Sequence, residues 1–334
     1  MSKSVSPKSQ GSRQQAPSAS TNCGNPTLPQ DGSLKDGDGV ILGLGSGSPD
    51  ASPIAQRQAL IAAATAGDAD AQCRMGDLCR TGDEFTLQDY AAALYWYNLA
   101  AEQGDAGGEN DLGAMYHNGV GVAVDTAEAA KWYRLAADKG LATAQYNLAV
   151  LLGWGNGVPM DEPEATALLH KAAAQGHIEA CSLLGTLYRF GDGVEKCIPI
   201  AAEFHVIAAL AWDPAALVSL GDYYSEIEAE ALNGSLRAAL CLAKMYDRGL
   251  GVEEDKAKMF AWLLWGDQRA SRDDDADVRD EHDDMREFYG LTLSDDIKDA
   301  AWALATDMRA ANPSVDDAKP HRRRKSPRRS AGGD

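Results

Sequence analysis

The sequence predicts an all-α protein: an α-solenoid of stacked helix–turn–helix units with a disordered tail at each end. Three observations carry this. First, Gly76, Gly113, Ala149, Gly185 and Gly221 are spaced by 37, 36, 36 and 36 residues, and a further copy at Ala243 follows after 22. Second, each of these has a small residue five positions before it (Ala71, Gly108, Ala144, Ala180, Ala216, Ala238) and an apolar one directly before it. All but the first then carry a large residue three positions on (Tyr116, Leu152, Tyr188, Tyr224, Tyr246), the first having Cys79. Positions −5, −1 and +3 share one face of a helix, where small residues admit a neighbouring helix and large ones fill the space beside them. Third, a glycine turn recurs after that helix, as Gly119-Val-Gly-Val122, Gly155-Asn-Gly-Val158, Gly191-Asp-Gly-Val194 and Gly249-Leu-Gly-Val252. Glycine supplies the positive φ that ends a helix and reverses the chain.

In chain order, residues 1–52 are rich in Ser, Gly, Pro and Gln, lack helical periodicity, and read as a disordered tail. Residues 53–269 form the repeat array, about six copies with the fifth truncated. In four of the units an acid stands at the expected cap of the second helix (Asp89, Asp125, Asp161, Asp255), and Glu128 and Glu164 lie three residues on, as in a capping box. The second helix carries Trp96-Tyr97, Trp132-Tyr133 or Trp262. Paired alanines follow in the first four units (100–101, 136–137, 172–173, 208–209), and Gly104, Gly140 and Gly176 close the first three. One such unit cannot bury both its faces, so the units must stack. The fourth copy departs, with Cys197 and Pro199 at its cap, Phe204-His205 for Trp-Tyr and Trp212 for the closing glycine. The fifth lacks about fourteen residues and its glycine turn, and reads as a short hairpin or one bent helix. Residues 270–312 form an acidic segment and an amphipathic closing helix, whose apolar stripe is Leu291, Leu293, Ile297, Ala301, Leu304 and Met308, with Ser294 as cap. Residues 313–334 form a basic disordered tail.

The pattern Ala-x-x-x-Leu-Gly-x-x-Tyr-x-x-Gly-x-Gly-Val-x-x-Asp, then Ala-x-x-Trp-Tyr-x-x-Ala-Ala-x-x-Gly, resembles the Sel1-like repeat, and residues 108–140 match it nearly throughout. The resemblance implies a tetratricopeptide-like α-solenoid that acts as an adaptor for protein complexes. It also brings the alternative of a β-lactam-binding or hydrolysing Sel1-like enzyme.

Charge divides the chain as well. The 334 residues carry a net charge of −19. Residues 53–312 hold 20 basic and 43 acidic residues, net −23, while residues 313–334 hold seven basic and three acidic, net +4. The acidic body is unsuited to nucleic acid or an anionic membrane. The tail cluster Arg322, Arg323, Arg324, Lys325, Arg328 and Arg329 suits nucleic acid, an acidic partner, or nuclear import. No apolar run approaches the roughly 18 residues of a membrane span.

No catalytic residue, metal site or cofactor is expected. The six histidines are scattered without ligand spacing, and Cys181 and Cys241 fall in repeat cores. Cys73 and Cys79 do not share a helix face. Gly39–Gly47 lacks the glycine spacing and βαβ context of a phosphate loop. Asp273, Asp275 and Asp277 begin like a calcium loop, but Val278 occupies its sharp turn and Asp284 its bidentate position. That acidic stretch could instead mask the basic tail within the chain.

The function the resemblance implies, and the expected one, is a non-enzymatic, regulatory protein-interaction scaffold, cytoplasmic, binding an unidentified partner protein through a concave face lined by the first helices. Residues just after the repeat glycine (Asp77, Ala114, Val150, Thr186, Asp222, Lys244) and one turn on (Arg80, His117, Gly153, Arg189, Ser225, Asp247) vary while the core stays constant. Asp77, Arg80, His117, Trp154, Arg189 and Asp222 are the candidate contacts, the arginines and the tryptophan as anchors. The alternative is a secreted bacterial effector with its basic tail as a host nuclear import signal; seven serines in the first twenty residues and no acid in the first thirty fit a secretion signal.

Overall fold

The computed structural model describes residues 52–84, 86–269 and 275–313, and these contain fifteen helices and no strand. Helix α1 (Pro53–Thr65), which the repeat spacing did not reveal, precedes four full pairs. These are α2 (Ala69–Thr81) with α3 (Tyr90–Glu102), α4 (Ala106–Asn118) with α5 (Thr126–Asp138), α6 (Ala142–Trp154) with α7 (Glu162–Ala174), and α8 (Ile178–Phe190) with α9 (Ile198–Leu210). A short pair, α10 (Pro214–Asp222) and α11 (Tyr224–Leu232), is followed by α12 (Leu236–Arg248) with α13 (Lys256–Arg269), then α14 (Ala276–Thr292) and α15 (Asp295–Ala311). Each first helix of the full pairs packs on its own second helix and on the helix before it.

Backbone hydrogen bonds fix the repeat. The N–H of the residue capping each second helix donates to the carbonyl of the +3 residue: Asp89 to Cys79, Asp125 to Tyr116, Asp161 to Leu152, Cys197 to Tyr188 and Asp255 to Tyr246, all at 2.8–3.1 Å. Asp89, Asp125 and Asp161 then accept the N–H three residues on with their side chains. The reciprocal half of the expected capping box does not form, because the cap N–H is already engaged. Glu128 pairs instead with Lys131 and Glu164 with Arg134.

The small repeat residue is matched to its partner. A Cβ on Gly76 would lie 2.5 Å from the Tyr97 ring, on Gly113 2.8 Å from Tyr133, and on Gly185 2.6 Å from His205. Where the small residue is Ala149 or Ala243, the buried residue 20 positions on is Leu169 or Leu263. In these five units glycine thus accompanies a flat ring and alanine a leucine, whereas Gly221 of the short unit faces the Gly251 backbone. This complementarity keeps the interhelix spacing while side-chain volume changes.

A second ladder ties first helices to the ends of their own second helices and, through Gln72 and Gln145, to the helix before. Gln72 Nε2 donates to the Ala64 carbonyl (3.1 Å) and Gln72 Oε1 accepts from Gln103 (2.7 Å). Gln145 does the same with Ala137 and Gln175. In the unit between, buried Glu109 takes Lys139 Nζ at 2.6 Å, and its Oε2 has no partner.

The fourth and fifth units depart as follows. Cys197 caps α9 without a side-chain bond, and Pro in the first turn needs no donor there. Trp212 takes the place of the closing glycine and adopts its left-handed conformation, φ 66°. The fifth unit is two nine-residue helices bent at Tyr223. Being short, it leaves α12 packed directly against α9.

The acidic segment is helical over α14. Asp275 pairs with Arg237 and Val278 is buried, while Asp273 lies outside the described residues. In α15 the stripe facing the core is Ile297, Ala301, Ala305 and Met308. Leu291 and Leu304, expected there, are exposed, and the Ser294 hydroxyl makes no cap bond.

Candidate partner-binding face

The first helices carry the candidate residues, and the second-helix rings organise them. In the first unit Asp77 Oδ1 accepts from the buried Tyr97 hydroxyl at 2.9 Å, and Arg80 reaches both Tyr97 (3.1 Å) and Asp77 (3.4 Å). In the second, His117 packs edge-on to Tyr133 at 6.3 Å between centroids. In the fourth, Thr186 lies 3.5 Å from His205 Nε2, His205 Nδ1 bonds the Tyr223 hydroxyl at 2.8 Å, and Arg189 stands 4.4 Å over the Tyr223 ring. Burial, with Arg189 nearby, lowers the His205 pKa to about 4, so the imidazole is neutral at pH 7.

These side chains are therefore held by the rings beneath them. Asp77 and Arg80 still expose 47% and 44% of their side chains, so they are both held and accessible. Asp222 is exposed at the end of α10, beside Tyr223. Trp154, 79% exposed, ends α6 apart from these clusters. Asp247 is not on an open face. It is buried and held by Lys256, by Arg248 and by the Tyr289 hydroxyl of α14, and Lys256 and Tyr289 hold its carboxyl below the usual range despite its burial.

Among the described residues one group has the spacing of cation ligands: Cys73 Sγ and carboxylate oxygens of Asp77 and Asp111 lie within 4.8 Å of one another. Sequence reasoning missed it, because Asp111 lies on the next unit, 38 residues from Cys73. Within this group the thiol donates a hydrogen bond to the Asp111 carboxylate. Burial raises the Cys73 thiol, which donates to Asp111 at 3.4 Å, and burial together with the Asp77 charge raises Asp111 to about 6. A divalent ion would have to displace the thiol proton and compete with Arg80 for Asp77.

A pH dependence follows. The Asp111 pKa rises on folding from 3.8 to about 6, so its carboxyl contributes full stability below about pH 4 and loses that contribution as pH rises through 6. At 1.36 kcal/mol per unit this is roughly 3 kcal/mol. Asp111→Asn should flatten the stability profile between pH 4 and about 7 by that order, measured by urea unfolding across the range. An equal slope in both proteins would contradict the assignment.

The family model for the Sel1 repeat matches residues 69–105, 106–141, 142–177, 178–210 and 237–264. The chain belongs to the Sel1 repeat family. The unmatched interval holds α10 and α11, so the departure seen in the fold is also a departure from the family pattern. Among solved structures, the chain is similar to a protective antigen of uropathogenic Escherichia coli with an SLR fold (29% identity, 75% of this chain and 56% of that chain, TM-score 0.49). It thus spans little more than half the length of that relative. It is also similar to a Sel1 repeat protein of Oxalobacter formigenes (26% identity, 65% and 79%, TM-score 0.43) and to an immunity protein of Pseudomonas aeruginosa (22% identity, 72% and 82%, TM-score 0.36). A search of curated proteins finds no match. Sel1 repeat proteins generally mediate protein–protein interaction. No helix among the described residues is long and apolar enough to cross a membrane.

Proposed function

We propose that this Sel1 repeat array is a non-enzymatic, cytoplasmic scaffold that binds a protein partner through the face of its first helices. The observation that carries the reading is the contrast along those helices: buried −5 and −1 positions hold small and apolar residues from unit to unit, while accessible positions after the repeat glycine differ. The approach of α2 to α4, with none comparable between α3 and α5, supports a concave side made by first helices in the first two units, since helices on the inner side of a curved stack lie closer together. Arg80, Arg189 and Trp154 are the proposed anchors, flanked by Asp77, His117 and Asp222. The repeat array of residues 53–269, the acidic and closing segment 270–312, and the flanking segments 1–52 and 313–334 are the proposed functional divisions. The basic cluster Arg322–Arg329 lies outside the described residues.

The test is affinity capture with quantitative mass spectrometry. A triple variant, Arg80→Ala, Trp154→Ala and Arg189→Ala, should lose at least about tenfold of a specific co-purifying protein, equivalent to some 1.4 kcal/mol. Substitution of exposed Tyr95 and Leu135 on the second helices should leave capture unchanged. Equal capture by all three proteins, with unchanged circular dichroism, would overturn the proposed face.

A further inference from the structure

A groove runs between α13 and α14, about 560 Å³ in volume, floored by Phe260 and Leu264 and edged by Leu291. Asp283, Arg286 and Glu287 line its polar side, and Arg286 is already paired with Asp267 and Asp283. Asp283 and Glu287 stand one turn apart on the same helix face, both exposed. The whole of α14 carries six acids (Asp277, Asp280, Glu281, Asp283, Asp284, Glu287) against Arg279 and Arg286. Apolar walls beside carboxylates suit the long stem and charged head of arginine or lysine.

The chain supplies such side chains within reach. Both α14 and α15 pack on α13, and the described chain leaves α15 at Pro313. Arg322 is nine steps along the chain from Pro313, enough to span about 30 Å, while the 17 residues of α14 extend about 25 Å. Residues 321–329 hold five arginines and one lysine and no acid.

We propose that residues 321–329 dock in cis along the α13–α14 groove, with their basic side chains on Asp283 and Glu287. Covalent attachment gives the segment a local concentration on the order of millimolar, which compensates for the small contribution of each exposed ion pair. A basic partner segment or an acidic competitor would then exchange with the tail.

Zero-length carbodiimide coupling of the full-length protein tests this, because it joins carboxylates only to amines they touch. At low salt the monomeric product should contain Lys325 or Lys319 joined to Asp283 or Glu287. The yield should fall at least several-fold at about 1 M salt, where the screening length is about 3 Å. It should fall comparably in the Asp283→Asn, Glu287→Gln variant. Linkage found only in dimeric product would overturn docking in cis. So would linkage scattered over repeat carboxylates and unchanged in the variant, or absence of linkage to α14. The salt arm on the unsubstituted protein stands even if the variant is poorly folded.

Discussion

Leu148→Asp is expected to unfold the middle of the array. Leu148 is 1% exposed at the −1 position of α6, inside the continuous cluster that runs from Ala129 to Ala305. Its helix packs on both α5 and α7, so a carboxylate there would lie between two interhelix contacts with no cation designed to meet it. Leaving a charge buried and unpaired costs several kcal/mol even after the site relaxes. Stability in a repeat array is the sum of unit and nearest-neighbour terms, so loss of one central unit also removes the coupling across it. The melting curve followed by circular dichroism should show lost helix at 25 °C or a split transition. Leu135→Asp, on the 46%-exposed surface of α5, should melt like the unsubstituted protein. An unchanged curve for Leu148→Asp would mean that the repeat register is wrong.

The units were legible in the sequence because their signals are local. An acid before a helix and glycines after one act over three or four residues, and Asp89, Asp125, Asp161 and the Gly-x-Gly turns sit where their chemistry places them. Signals that depend on contact with another helix were not legible. Glu128 has the spacing of a capping box, but the cap N–H belongs to the Tyr116 carbonyl, which only the folded pair presents. In α15 the alternative stripes through Leu304 and Ala305 both have helical spacing, and packing against α13 selects the alanine. Cys73 has no cysteine partner of matching spacing in its own helix, and Asp111 comes beside it only when α4 packs there. At the candidate face the variable positions could be read off. What the sequence hid is that Asp77, Arg80 and Arg189 are held by Tyr97 and Tyr223, rings whose contacts depend on the pairing of helices.

The pairing of a small first-helix residue with the side chain 20 or 21 positions on holds the face residues on a constant scaffold, and a double-mutant cycle at Gly113 and Tyr133 tests it most directly. Alanine at 113 would place its Cβ 2.8 Å from the Tyr133 ring and 3.3 Å from the Ala129 carbonyl. The overlap should cost about 1–3 kcal/mol, against a gain of roughly 1 kcal/mol from better helix propensity. Tyr133→Leu alone removes a ring from a site 2% exposed and should destabilise by about 1–3 kcal/mol. Together the two substitutions recreate the Ala149–Leu169 combination of the next unit. Urea unfolding should then show the double variant more stable than the sum of the singles by at least about 1 kcal/mol. Single effects that add to within about 0.5 kcal/mol would contradict the matched pairing.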